Sequence, residues 1–216
     1  MIIAALTDIH GDANCIDRLA APLAEADLVL LTGDLTHFGG ASDAEAVVNA
    51  ARKHNGSVRA VSGNCDRPDV EDWLLAEGIG LHAHHEIIDG IAFAGLGGSL
   101  PCPGHTPNEH SEGDLKRRLA EAVEGLDEGL PLVLVSHQPP FGTKVDVARR
   151  GGHVGSRSAR EFIEDRRPLI CFSGHIHEAS GTDVLGETRL INPGPARGGR
   201  YAWAEVTDTV EVLEIR

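Results

Sequence analysis

Three short apolar runs punctuate the first third of the chain: Met1 to Leu6, Leu28 to Leu31 and Val58 to Val61. They are too short for helices and lack regular polar alternation, the pattern of strands covered on both faces. Between the first two, Asp12 to Ala24 places Ile16, Leu19, Ala20 and Leu23 at helical spacing. Between the second and third, Ser42 and Glu45 read as a capping box that opens a helix running to His54. Strand, helix, strand, helix, strand at this pitch predicts a parallel sheet with right-handed crossovers.

Farther on, Glu86 to Ile88 and Ile91 to Ala94 flank Asp89-Gly90, a hairpin signal. Gly97 to Gly113 is a Gly/Pro-rich loop long enough to carry function. Ser111 to Leu126 reads as a helix, Leu132 to Val135 as a buried strand, and Pro139 to Gly155 as loop. Ser158 and Glu161 cap a helix to Arg167, and Leu169 to Phe172 is a strand. Thr188 to Ile191, Tyr201 to Val206 and Val210 to Ile215 predict a terminal antiparallel meander after the tight turn Asn192-Pro193-Gly194.

Five of the strands end in side chains that bind metals. Asp8 and His10 follow the first, and a spacing of two in extended chain sends both to one side. Asp34 follows the second and Asn64 the third; His137 and the pair His175 and His177 follow two later ones. Functional groups in such sheets gather beyond the carboxyl ends of the strands. These seven donors are two carboxylates, one amide and four imidazoles. They are too many for one tetrahedral ion and suit two divalent ions sharing a bridging carboxylate. Nitrogen and oxygen donors without thiolate favour Mn, Fe, Zn, Co or Ni over Ca. Two ions about 3.5–4 Å apart polarise a phosphoryl oxygen and generate hydroxide near neutral pH, which is phosphoester chemistry.

In order and spacing, Asp8-x-His10, Gly33-Asp34, Gly63-Asn64-x-Asp66, His137 and Gly174-His175-x-His177 resemble the blocks of the calcineurin-like metallophosphoesterases. The resemblance runs from residue 8 to the Asn192 turn. It implies an α/β fold, a four-layer α/β/β/α sandwich of two mixed sheets flanked by helices. It also implies one metal on Asp8, His10, Asp34 and His177, and a second on Asp34, Asn64, His137 and His175. Much of the family has histidine where this chain has Cys65, and there it is thought to protonate the leaving oxygen, held by the acid that follows. Small prokaryotic phosphodiesterases of the family often carry this cysteine. A thiol of pKa about 8.5 is a weaker donor than imidazolium. Cys65 therefore biases the expectation toward small phosphodiesters, with Asn64, Cys65 and Asp66 as catalytic residues. Arg67, whose guanidinium matches a phosphate, and His153, flanked by glycines that permit close approach, are the expected substrate contacts. A monoesterase, a nuclease of the same family and a non-catalytic metal-binding scaffold are the rival readings.

Composition narrows the partners. The chain of 216 residues is one domain by default, residues 1–216. Its 33 acids against 19 bases give a net charge of −14, which repels nucleic acid and anionic membrane. With so few lysines, that surface also suits a salt-rich milieu. No apolar run reaches the roughly 20 residues of a membrane span, and the N-terminus lacks the basic region of a signal peptide. Four scattered cysteines fit a reducing cytoplasm. The remaining loop histidines, His37, His105 and His110, are weaker candidates for the site, and His54, His82, His84 and His85 are expected to face solvent.

Overall fold

A computed structural model describes residues 1–216. The first strands are β1 (Ile2–Leu6), β2 (Leu28–Thr32) and β3 (Val58–Val61). They run parallel, β2 between the other two. The helices around them are α1 (Ala13–Arg18), α2 (Ala20–Glu25), α3 (Ala41–Arg52) and α4 (Pro68–Ala76). The second half contributes β4 (His85–Ile88), β5 (Ile91–Leu96), α5 (Glu112–Ala122), β6 (Leu132–Ser136), α6 (Arg157–Arg166) and β7 (Ile170–Phe172). It closes with β8 (Gly181–Leu185), β9 (Thr188–Asn192), β10 (Ala202–Val206) and β11 (Val210–Ile215). One sheet has the order β11-β10-β1-β2-β3 and the other β4-β5-β6-β7-β9-β8, both mixed.

The period of two along each strand sorts its residues between layers. Ile3 and Ala5 face the second sheet and meet Phe93, Val135 and Phe172. Ala4 and Leu6 face the opposite way, onto Ile16, Val47 and Val48 of the first helical layer. On the outer face of the second sheet, Leu134 packs with Leu115 of α5 and Ile163 of α6. Helices, sheet, sheet and helices therefore stack as four layers, and strands buried on both faces need the unbroken apolar runs seen in the sequence.

Several local expectations change. The helix expected over Asp12 to Ala24 breaks at Leu19. Pro22 has no N–H to offer the Arg18 carbonyl, and its ring would clash there, so the helix restarts with the proline in its first turn. The third helix begins after Gly40 rather than Ser42, and the Gly40 N–H donates to Asp43 at 3.0 Å. Ser156, not Ser158, caps α6, its hydroxyl accepting from the Ala159 N–H at 3.1 Å. The terminal meander is divided. β9 joins the second sheet between β7 and β8, whereas β10 and β11 extend the first. The Asn192 turn carries the chain across the end of the sandwich, and the bridge between Thr7 and Pro195 sets that crossing beside Asp8.

Candidate metal centre

The expected donors converge at the carboxyl ends of β1, β2, β6 and β7 and the turn after β3. Asp34 presents one oxygen to each side. Its Oδ2 lies 3.7 Å from His10 Nε2 and its Oδ1 3.4 Å from His137 Nε2. Asp8 Oδ1 lies 3.3 Å from His177 Nε2. His10 and His177 face each other with their Nε2 atoms 3.3 Å apart. Asn64 Oδ1 stands 3.0 Å from His137 Nε2. Donor atoms of Asp8, His10 and His177 lie within 4.8 Å of one another, as do those of Asp8, Asp34 and His137. His175 stands at the rim, its ring centroid 5.2 Å from that of His137 and its Nε2 3.6 Å from Cys102 Sγ. Its backbone N–H reaches the Asp8 carboxylate at 3.2 Å.

The backbone is bent to make this possible. Asp8, His10, Asp34 and His175 adopt φ of 54°, 51°, 50° and 66°, the left-handed region that few side chains enter. Gly63 lies so near Asp34 that a Cβ there would collide with the Asp34 backbone. The turn is thus packed against the carboxylate it adjoins, and the Cys65 N–H donates to Asp34 Oδ1 at 2.7 Å.

Charge inside the cluster is strongly biased. Burial raises the Asp8 carboxyl, but the hydrogen bond to His177 and the charges of His137, His177 and His10 outweigh it and hold Asp8 at about 2. Burial holds His175 neutral, lowered to about 4. Burial also lowers His10, while the bond to Asp8 raises His177. In the metal-free protein, burial and the Asp34 carboxylate push the Cys65 thiol well up. These are buried anionic oxygens facing imidazole lone pairs, a donor set that divalent ions fit without rearranged ligand chemistry. Two imidazole nitrogens facing each other gain most when a cation lies beside both lone pairs.

Cys65 Sγ falls within 4.8 Å of donor atoms of His10 and Asp34. Asp66 is fully buried behind the turn. It accepts from the N–H groups of Leu35, Thr36 and Gly63 and from the Thr36 hydroxyl, at 2.7 to 3.1 Å. Asp66, expected among the catalytic residues, thereby caps and joins two loops, and it makes no hydrogen bond to Cys65. Arg67 is exposed, 4.0 Å from Asp69, and lies outside the cleft. His153 is turned to Asp146 at 2.7 Å, and its neighbour Val154 lines the cleft instead. His37 packs edge-on against His10 with centroids 5.6 Å apart. His105 is exposed, and His110 faces His82 away from the donors. His82, expected on the surface, has a side chain only 4% exposed. Arg197 was not anticipated. It follows the Asn192 turn, and its charge helps to lower His10 and acts against the rise of His177.

The donors open into a cleft of about 370 Å³. No helix of the chain is long and apolar enough to cross a membrane.

The chain matches the Calcineurin-like phosphoesterase superfamily domain over residues 1–215. It is 36% identical over 200 residues to the uncharacterized protein MJ1162 of Methanocaldococcus jannaschii, covering 90% of this chain and 88% of that one. Among solved structures, the protein TT1561 of Thermus thermophilus superposes with TM-score 0.78 at 20% identity, covering 100% and 97% of the two chains. A dimetal phosphatase from Danio rerio superposes with TM-score 0.66 at 12% identity, covering 95% and 92%.

Proposed function

The chain belongs to the calcineurin-like phosphoesterase superfamily of metal-dependent hydrolases, and on that footing we propose that it hydrolyses small phosphodiesters at a two-metal centre. The observation that carries this reading is the position of Asp34, one oxygen toward His10 and the other toward His137. Asp8, His10, Asp34 and His177 would hold one divalent ion, and Asp34, Asn64, His137 and His175 the other. We favour Mn²⁺, with Fe, Zn, Co and Ni compatible with the same donors. The ions supply Lewis-acid polarisation of the phosphoryl group and an activated water.

The remaining work falls to the chain. Asn64 carries an amide N–H that can meet charge developing on a phosphoryl oxygen. Asp66 and the Cys65 N–H fix the Asn64 turn against Asp34. Cys65 stands at the sequence position where the family resemblance puts the acid for the leaving oxygen, and a thiol is a weaker hydrogen-bond donor than imidazolium. Diesters whose leaving group needs little protonation are therefore the substrates we assign. The acidic surface agrees with a small substrate rather than a nucleic acid, and the unpaired cysteines agree with the cytoplasm.

The test is hydrolysis of bis-p-nitrophenyl phosphate beside p-nitrophenyl phosphate, with Mn²⁺ and with Asp34→Asn as control. We expect diester turnover that the control reduces at least about 100-fold, the scale of losing a catalytic electrostatic group, with bound metal falling in parallel. Dominant monoester turnover would overturn the diester assignment. Metal bound without turnover of either ester would overturn the enzyme reading.

A further inference from the structure

The cleft is lopsided. One wall is the metal-donor cluster; the other is apolar, formed by Leu100, Pro101, Pro103, Ala148, Val154 and Ile176. These residues come mainly from two loops, Gly97 to Gly113 and Pro139 to Gly155. One side chain ties the loops together. Gln138, directly after the donor His137, is fully buried. Its Oε1 accepts from the Leu100 N–H at 2.9 Å, and its Nε2 donates to the Val154 carbonyl at 3.0 Å. The apolar wall is therefore held at a set distance from the metal donors rather than hanging as a free flap. Val154 is 42% exposed, a large apolar side chain left open to water at the mouth.

Charge points the same way. No lysine or arginine lines the cleft, and its charged residue outside the expected donors is the carboxylate of Glu178. Along that wall a second phosphate or a carboxylate would meet apolar carbon and the Glu178 carboxylate; the nearest cations act from outside the lining, Arg197 on His10 and His177 and Arg149 on Glu178.

We propose that this wall is a subsite for an uncharged, apolar arm of the substrate. The substrate class becomes a singly charged diester in which one ester group is aromatic or aliphatic, rather than a nucleotide bearing further phosphates. This rests on the phosphodiesterase reading for turnover, but the wall's affinity for an apolar arm can be measured without it. Gln138 is then a positioning residue that sets specificity by holding both loops.

Two measurements on Mn²⁺-loaded protein test it. The first is calorimetric binding of diphenyl phosphate against dimethyl phosphate, which differ in their arms and share one charge. We expect diphenyl phosphate to bind about tenfold tighter or more, the scale of removing an aromatic ring rather than a methyl from water. The second is kcat/KM for phenyl p-nitrophenyl phosphate against methyl p-nitrophenyl phosphate, which share a leaving group, in wild type and Val154→Asp. Val154 is exposed enough for the change to leave the fold intact. In the variant, both the binding preference and the phenyl-to-methyl ratio should fall at least threefold. Equal binding of the two anions by wild type, or a preference untouched by Val154→Asp, would overturn the subsite. A binding preference without turnover of either ester would overturn the phosphodiesterase reading and leave the subsite standing.

Discussion

Asp66 joins two loops through their backbones. Leu35 and Thr36 follow the donor Asp34, and Gly63 precedes the donor Asn64; one buried carboxylate accepts from all three N–H groups. Removing it leaves several buried donors unpaired, each worth about 1–3 kcal/mol. Asp66→Ala should therefore destabilise the protein by about 3 kcal/mol or more in urea unfolding, and weaken Mn²⁺ binding in a calorimetric titration. Unchanged metal affinity in the folded variant would show that the Asn64 turn holds itself. The convergence of the seven expected donors was legible because strand ends in such a sheet point to one edge, but the extended chain expected at Asp8 and His10 is instead left-handed at both, with φ of 54° and 51°. Arg67 and His153 were not legible in the same way. Both lie in irregular chain, where spacing does not encode direction, and both are turned toward nearby acids. Arg197 carries no signal in its own neighbourhood; only the crossing of the chain beside Asp8 brings it near.

The Asp89-Gly90 hairpin formed as its turn residues predict, with φ of 49° and 81°. Nothing lies within 4 Å of where a Gly90 Cβ would be, so the penalty for a side chain there is purely conformational. Gly90→Ala should lower stability by about 1–2 kcal/mol while leaving hydrolysis of bis-p-nitrophenyl phosphate unchanged. A larger loss in urea unfolding would imply a packing role. Besides Gln138, the Gly97 to Gly113 loop is anchored by Asn108, which donates to Ser62 Oγ at 3.1 Å and the Gly63 carbonyl at 3.2 Å. Asn108→Ala should raise proteolysis within that loop and reduce stability by about 1–3 kcal/mol. The division of the terminal strands could not be read from the sequence, because local pattern identifies a strand without naming its partner. The fourth helix could have been read: Pro68 opens it, acids fill its first turn, and Val70 and Leu74 share its buried face.

For the molecule as a whole, the net charge of −14 is spread over a surface that repels itself. Added salt screens that repulsion, so Tm of the metal-free protein should rise between 0.1 and 1 M KCl; a flat profile would remove self-repulsion as a factor. Acid acts through His82 at the edge between the sheets. Burial and the charge of Arg118 lower it to about 3 from an ordinary 6.5. Between those values the unfolded chain binds a proton that the fold refuses, so stability is full above about 6.5 and falls as the pH drops through that window. His82's share of the loss from pH 7 to pH 5 should be on the order of 2 kcal/mol and should be missing in His82→Gln, as compared by urea unfolding, while His175, also held low by burial, keeps its own share. The left-handed backbone at Asp8, His10, Asp34 and His175 carries a consequence on a longer timescale. Glycine and asparagine enter that conformation most readily. A single base change converts an aspartate codon to either and a histidine codon to asparagine. Genetic drift therefore has short, backbone-relieving escapes at these four codons. A lineage released from metal-dependent catalysis would lose its donors there first, so those codons are where the decay of the activity among descendants would be recorded.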